Sequence, residues 1–225
     1  MACFLKLNEK TLPKSLIARL VAICTGLALI ALGGYAFWLY LNPGSTPGIT
    51  ISQGTSSGTP LIGGDYELID QNGATRRPDD FSGTYQLLYF GYTFCPDICP
   101  TSLFSMAGAI DLLEEQNPAL AQSIVPLFIT VDPERDTVQA LKDYAPNFHD
   151  RLIAMTGSPE KVAEAAKAYR VFYAKVESEE FNDYLMDHSS LIFLMGPNGD
   201  YVSHFNHTAT PQQIADGLVK FLDAS

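Results

Sequence analysis

The stretch QLLYFGYTFCPDICP, residues 86–100, decides the fold of this chain. The run 86–91 is mostly apolar and ends in glycine, which predicts a buried strand. Residues 101–115 carry apolar side chains at helical spacing and predict a helix. Cys95 and Cys99 therefore lie at a strand-to-helix turn. They are the only cysteines beyond the N-terminal apolar segment, and two close thiols can form a redox couple or hold one metal ion.

The position of Pro100 bears on where this helix begins. Inside a regular helix its ring would collide with the carbonyl of Pro96, four residues back. We therefore predict that the helix starts at Pro100, with Cys99 at its cap and Cys95 in the preceding turn. Free N–H groups and the helix dipole at this end favour thiolate. A purely structural disulfide explains the pair poorly, because closing so short a loop gains little stability.

The remaining elements alternate between strands and helices before a closing hairpin and helix. A strand and turn at 66–73 open an N-terminal hairpin, and further strands are predicted at 86–91, 124–131, 152–155, 171–176, 188–195 and 201–205. Helices are predicted at 101–115, at 158–169 and at 210–222. A further helix is predicted to start at Asp136, which has capping-box spacing to Gln139. This order predicts an α/β domain with a mixed sheet. A dithiol after the first core strand is the thioredoxin layout, here with an N-terminal β-hairpin extension.

Two thiolates rarely complete a metal site, so a third ligand is expected from elsewhere. His188 stands before an apolar strand, and in a thioredoxin-type sheet the loop before that strand packs against the dithiol. Thioredoxins carry a cis-proline there, whereas this chain has no proline between Asp187 and Met195. Two cysteines and a histidine suit copper, because thiolates hold Cu(I) and imidazole accommodates Cu(II). Zinc is the alternative, although no fourth ligand is evident for a closed zinc site.

Two carboxylates are candidates for supporting these ligands. Asp187 is placed to orient His188, and Asp132 ends a core strand close to the expected site. The alternative role of Asp132 is to fix the loop that follows it. The acidic segment 177–187 is interpreted as a solvated loop, or as a docking surface for a basic partner. The other histidines are interpreted as surface or loop residues: His149, His204 and His207.

The N-terminal region predicts a membrane anchor. Residues 20–41 form a run of 22 without charge, about 33 Å long as a helix and enough to cross a bilayer. Residues 1–19 contain four basic residues and one acid, which predicts a cytoplasmic tail by the positive-inside rule. A cleaved signal peptide is the alternative, but its apolar region is usually shorter and is followed by a cleavage site.

The rest of the chain divides by composition. Residues 42–63 are rich in Gly, Pro, Ser and Thr and predict a flexible tether. Residues 64–225 are predicted to be the thioredoxin-like copper-binding domain. The total net charge is −11, and nucleic-acid binding needs basic patches instead. We therefore expect no nucleic-acid partner.

Four blocks of sequence carry a resemblance to a known family. They are FCPDICP at 94–100, VDPERDT at 131–137, AYRVFY at 168–173 and DH at 187–188. In this order they resemble the Sco family, also called SenC, whose members are membrane-tethered thioredoxin-fold proteins of cytochrome c oxidase assembly. The similarity runs from about residue 66 to 222.

The resemblance implies copper bound by Cys95, Cys99 and His188, with Asp187 at an acidic family position. It also implies delivery to the binuclear copper centre of the oxidase, so that the partner is the copper-site subunit. A second copper chaperone or a thioredoxin-like reductase is a further possible partner. The N-terminus is too short for a mitochondrial presequence, which favours a bacterial inner membrane with the domain in the periplasm.

Two functions from different classes remain open at this point. A metallochaperone would hold and pass on copper without catalytic turnover, whereas a thiol–disulfide reductase would keep the oxidase's copper-ligand cysteines reduced. Both need Cys95 and Cys99, and only the first needs His188 as a ligand. A thiol peroxidase is a third alternative, but that class resembles Thr-x-x-Cys, and here Tyr92 and Pro96 occupy the threonine positions.

Overall fold

The computed structural model describes residues 62–178 and 183–222, together with residues 25, 26, 30, 31, 33 and 34. Contacts divide the chain into two units, Met1–Ser57 and Gly58–Ser225, and the second contains all the described residues except the six between 25 and 34. Across the described residues, no helix has the length and apolar character needed to span a membrane. The predicted anchor and tether fall almost entirely outside the described residues.

The domain is built from nine described strands and five described α-helices. The strands are β1 (Leu68–Asp70), β2 (Thr75–Arg76), β3 (Tyr85–Gly91), β4 (Ile124–Thr130), β5 (Ile153–Thr156), β6 (Tyr173–Ser178), β7 (Asp183–His188), β8 (Leu191–Met195) and β9 (Tyr201–Asn206). The helices are α1 (Ile98–Gln116), α2 (Pro118–Gln122), α3 (Val138–Tyr144), α4 (Pro159–Ala168) and α5 (Pro211–Leu222). Short 3₁₀ turns cover Pro78–Phe81 and Ala145–Asn147.

Seven strands form one mixed sheet in the order β2-β1-β5-β4-β3-β8-β9. The central strands β3, β4 and β5 run parallel, and β1, β8 and β9 are antiparallel to their neighbours. Strand β3 lies between β4 and β8, and its residues 86–91 are all buried. The predicted α/β, thioredoxin-like arrangement and its N-terminal hairpin are thus confirmed. Strands β6 and β7 pair only with each other, as a second sheet.

The N-terminal hairpin forms where a Gln-Asn-Gly turn was predicted. The Asp70 carboxylate accepts hydrogen bonds from the N–H groups of Asn72 (2.8 Å) and Ala74 (3.0 Å). Gly73 has φ +82°, a conformation that glycine adopts without steric cost. The turn chemistry in the sequence therefore determines this hairpin.

Helix α1 begins earlier than predicted. It starts at Ile98, so Cys99 lies inside its first turn rather than at its cap. Pro100 is the third helical residue, where an N–H would have no intrahelical partner in any case. The carbonyl four residues back belongs to Pro96, which precedes the non-helical cap Asp97 (φ −145°). The collision invoked against an earlier start therefore does not occur.

Two further predictions were wrong in detail. Helix α3 is capped by Thr137, whose hydroxyl accepts from the Ala140 N–H at 3.2 Å, whereas Asp136 is buried and bonded elsewhere. Strand β6 overlaps the strand predicted at 171–176, whereas most of β7 lies in the segment predicted as an acidic loop, and Tyr173 pairs with His188. A strand pair lying outside the main sheet needs no apolar run, which is why the composition of β7 resembled a loop. Residues 179–182 lie outside the described residues.

Candidate metal centre

The fold brings together the three ligands expected from the sequence. Cys95 lies in the turn after β3, Cys99 in the first turn of α1 and His188 at the end of β7. Their ligand atoms all lie within 4.8 Å of one another, and Cys99 Sγ is 3.3 Å from His188 Nε2. Both cysteines are free thiols, with Cys99 buried and Cys95 partly exposed. The site thus has a buried side and an open side.

The two sulfurs are held by the backbone around them. The Cys99 N–H donates to Cys95 Sγ at 3.3 Å. Gly91 allows Cys99 to approach the end of β3, because a Cβ there would lie 3.1 Å from Cys99 Sγ and 2.8 Å from the Tyr89 ring. The turn itself is fastened through Thr93, whose N–H (3.0 Å) and hydroxyl (2.6 Å) donate to the buried Asp136. Asp136 therefore helps to hold the turn that carries Cys95, whereas its sequence spacing predicted that it caps a helix.

The two thiols differ strongly in acidity. A hydrogen bond from the Cys99 thiol lowers the pKa of Cys95 to about 4, with further contributions from backbone N–H groups. The same pairing, together with burial, raises the pKa of Cys99. At neutral pH the pair therefore consists of a Cys95 thiolate and a protonated Cys99. The more accessible sulfur is the one that is ready to bind a metal or to attack a disulfide.

His188 directs its Nε2 nitrogen towards the sulfur of Cys99. Its Nδ1 lies 3.2 Å from the carbonyl oxygen of Ser189, and because a carbonyl can only accept, we assign the proton to Nδ1. The lone pair of Nε2 then faces Cys99 and is free for a metal. The edges of the Tyr89 and Tyr92 rings flank the imidazole, with centroids at 6.1 Å and 5.9 Å. A histidine oriented in this way by its second nitrogen is typical of metal ligation.

Among the described hydrogen bonds, none joins a ligand side chain to either of the two carboxylates predicted to support the site. Asp187 is exposed and lines a surface cleft together with His188, whereas Nδ1 of the imidazole lies against the Ser189 carbonyl. Asp132 is buried and accepts from Arg135 Nε (2.5 Å) and from the Tyr184 hydroxyl (2.9 Å). Its described contacts hold Arg135 and Tyr184 rather than a ligand.

The other histidines lie elsewhere. His204 is exposed on β9 and stacks on Tyr201, and His207 is exposed in the following turn. His149 Nε2 lies 3.6 Å from Asp111 and 3.9 Å from Glu114, which gives a second group of possible ligands. However, His149 Nδ1 accepts the Arg151 N–H at 3.0 Å, so the neutral ring carries its proton on the nitrogen that faces these acids. This arrangement favours a charge network over a metal site.

Sequence reasoning missed Arg135 and Tyr184. Arg135 stands in the VDPERDT block, in which the sequence pattern predicted roles only for Asp132 and Asp136. Tyr184 lies in the acidic segment 177–187, which was interpreted from its charged residues alone. The structure places the Arg135 guanidinium 3.7 Å from the centroid of the Tyr184 ring, beside the strand that carries His188. The signal that could have identified Arg135 was its positive charge among the acidic residues of that block.

A cleft of about 440 Å³ opens beside Cys95 and His188. Two acids, Asp97 and Asp187, are among its lining residues. Most of its wall is formed by apolar and aromatic side chains: Tyr92, Pro96, Ile98, Val176, Leu185 and Met186. The donor set itself, two sulfurs and one imidazole nitrogen, suits copper, since thiolates stabilise Cu(I) and imidazole binds Cu(II). The cleft leaves Cys95 and His188 partly accessible from outside the protein.

Comparison with known proteins agrees with this chemistry. The SCO1/SenC family model matches residues 54–223. A mitochondrial SCO1 homolog 1 of Arabidopsis thaliana is 42% identical over 172 residues, which are 76% of this chain and 50% of the relative. A SCO2-like protein of Rickettsia conorii is 42% identical over 158 residues, covering 70% of this chain and 75% of that protein. This chain therefore spans only half the length of the plant relative.

The solved structures lead to the same family. The crystal structure of Arabidopsis thaliana ScoI with copper bound has a TM-score of 0.69 and 42% identity, and covers 73% of this chain and 99% of its own. A further neighbour, BsSco, with 24% identity and a TM-score of 0.57, is a member of the Sco family of cytochrome c oxidase assembly proteins. With a family model over most of its length, the α/β thioredoxin-like fold and the Cys-Cys-His centre, this chain belongs to the SCO1/SenC family.

Proposed function

We propose that this protein is a membrane-anchored copper metallochaperone for the binuclear copper centre of cytochrome c oxidase. The observation that carries the proposal is the convergence of Cys95, Cys99 and His188 within 4.8 Å of one another. It is supported by membership of a family of oxidase assembly proteins and by a relative that binds copper. The partner in this proposal is the copper-site subunit of the oxidase.

The geometry suggests how the cargo ion is held and released. The Cys95 thiolate is accessible and makes the first bond, Cys99 then gives up its proton, and His188 Nε2 completes the site. Cys95 and His188 are partly exposed, whereas Cys99 is fully buried. Thiolates of a partner docked at the cleft can therefore replace the outer ligands first, so that Cys99 releases copper last.

A thiol–disulfide reductase is the second candidate function, favoured by the contrast in acidity between the two cysteines. The Cys95 thiolate would attack a partner's disulfide, forming a mixed disulfide and releasing one partner thiolate. Cys99, after losing its proton, would then attack Cys95 and release the second partner thiol. The partner gains two electrons, and the Cys95–Cys99 pair becomes a disulfide. This chemistry uses both sulfurs but does not need His188 as a ligand.

Replacing His188 by alanine separates the two functions. We expect His188→Ala to weaken copper binding, Cu(II) more than Cu(I), because imidazole is the ligand that Cu(II) prefers. Oxidase assembly in cells should fall in parallel. The Cys95–Cys99 disulfide should still form and be reduced by a small thiol, since exchange depends on thiolate character and access. Copper titration, oxidase activity and disulfide reduction rates are the measurements.

The matched control is His204→Ala, which removes a histidine that is exposed on β9. All three measurements should stay at the wild-type level in this variant. Full copper binding by His188→Ala together with lost thiol exchange would reverse the choice and favour the reductase.

We also propose that residues 20–41 anchor the protein in a bacterial inner membrane, with residues 1–19 in the cytoplasm and the domain in the periplasm. The support is the uncharged length of the segment and the basic residues before it. The full chain should stay in the membrane fraction after an alkaline wash, and a chain starting at Gly64 should be soluble and folded without detergent. Aggregation of the shortened chain would refute this division.

A further inference from the structure

The third ligand is carried by an element outside the main sheet. His188 ends the β6–β7 hairpin, whose strands pair only with each other. A two-stranded ribbon is marginally stable alone, so its position depends on contacts made by its side chains and ends. Met186 is buried in the core, and Ser189 exchanges two hydrogen bonds with Phe172 at the base of the hairpin. The start of β7 is held by a different residue.

Arg135, in the loop after β4, holds the start of β7 through its guanidinium. Its Nη1 donates to the Tyr184 carbonyl at 3.0 Å and to Asp183 at 3.2 Å. The guanidinium lies over the Tyr184 ring, 3.7 Å from its centroid. Its Nε is bonded to the buried Asp132 at 2.5 Å, and Asp132 also accepts from the Tyr184 hydroxyl at 2.9 Å. Arginine and aspartate thus hold both the backbone and the side chain of one residue of β7.

The same guanidinium contacts the turn that carries the cysteines. It lies 4.9 Å from the centroid of the Phe94 ring and 5.9 Å from that of Tyr92. Phe94 immediately precedes Cys95, and the Tyr92 ring also packs against His188. Arg135 is only 19% exposed, and its Nη2 is buried without a hydrogen-bond acceptor among the described residues. A buried donor left without a partner is costly, which points to a role beyond stability.

We propose that Arg135 is a positioning residue for copper ligation, which fixes the hairpin against the cysteine turn so that His188 Nε2 meets the two sulfurs. This inference rests on the proposed copper site. Residues that orient a metal ligand contribute about 10-fold to 100-fold to metal affinity. Because Arg135 acts through His188, its loss affects Cu(II) more than Cu(I), which the two thiolates retain.

Lys175 provides a matched control on the same hairpin. Its ammonium lies over the Tyr184 ring at 4.5 Å and pairs with Glu134 at 2.6 Å. It is 46% exposed, and exposed ion pairs contribute little. Lys175→Met therefore removes a cation from the same tyrosine without removing the buried link.

The test compares full-length Arg135→Met and Lys175→Met with the wild type. In copper-free Arg135→Met, amide hydrogen exchange should become faster across residues 183–188, and not in β3 or β4. Cu(II) affinity should fall at least about 10-fold, with loss of the nitrogen coupling of a bound imidazole in the electron paramagnetic resonance spectrum. Cu(I) affinity should stay within about threefold, since both thiolates remain. Lys175→Met should match the wild type throughout.

Unchanged exchange and an unchanged nitrogen signal in Arg135→Met would overturn the proposal. If Arg135→Met does not fold, Arg135→Lys takes its place: lysine keeps the charge beside Asp132 but cannot also reach the Tyr184 carbonyl. It should show the same exchange and spectroscopic changes, and full rescue by lysine would refute the inference. If the wild type binds no copper, the proposed function fails, and hydrogen exchange in the copper-free protein still decides whether Arg135 positions β7.

Discussion

Changing either Cys95 or Cys99 to serine should abolish tight copper binding, leaving less than one tenth of the wild-type copper content after loading and dialysis. Each residue supplies one of only two sulfur ligands, and a hydroxyl is a poor ligand for a soft ion. Elemental analysis of the reduced protein, with thermal unfolding to show that both variants fold, is the measurement. Normal copper content in either variant would remove the metal-site interpretation.

Proton release offers an independent measure of the same site. Cys95 is already ionised at neutral pH because its pKa is lowered to about 4, whereas burial and the Cys95 thiolate keep Cys99 protonated. Metal binding requires both thiolates. Loading the reduced protein with Cu(I) in a weak buffer at pH 7 should therefore release about one proton per ion, from Cys99. Release of two would show that Cys95 is not ionised beforehand.

The second large effect is expected from Gly91→Ala. A Cβ at this position would lie 2.8 Å from the Tyr89 ring, 3.1 Å from Cys99 Sγ and 3.1 Å from the Phe128 ring. All three neighbours are fully buried, so they have little room to move, and overpacking of this kind costs about 1–3 kcal/mol. We expect the free energy of unfolding of the copper-free protein to fall by about 2 kcal/mol, and copper affinity to fall as Cys99 is displaced.

Gly108→Ala is the matched control, since it adds the same methyl group to α1. Its Cβ would lie 3.2 Å from two ring carbons of Pro211, and the gain in helix propensity, about 1 kcal/mol, offsets that contact. Urea unfolding should thus differ from the wild type by less than about 1 kcal/mol, with unchanged copper affinity. Equal stability of the two variants would show that the end of β3 tolerates a side chain.

Much of the fold was predictable because its signals are local. The apolar run 86–91, the turn after Asp70, and the Ser-Pro sequence that caps α4 each act within a few residues, and each appears where it was predicted. The cysteine pair was evident for the same reason. His188 was suggested by its place before an apolar strand and by the resemblance to the Sco family, and the structure brings it to the sulfurs.

The remaining features depend on contacts between residues far apart in the chain. Asp136 has the spacing of a helix cap, yet it is buried against Thr93, 43 residues away. Arg135 donates a hydrogen bond to the carbonyl of Tyr184, 49 residues further along the chain, and no local sequence pattern predicts such a contact. Strand β7 of the acidic hairpin was missed because it satisfies its backbone hydrogen bonds with β6 alone and needs no apolar run. Sequence alone thus predicted the succession of most strands and helices along the chain and the three candidate ligands, because periodicity, turn chemistry and a close pair of cysteines are local signals. Only the tertiary structure decided which side chains hold those donors in place, because that depends on how separate elements pack.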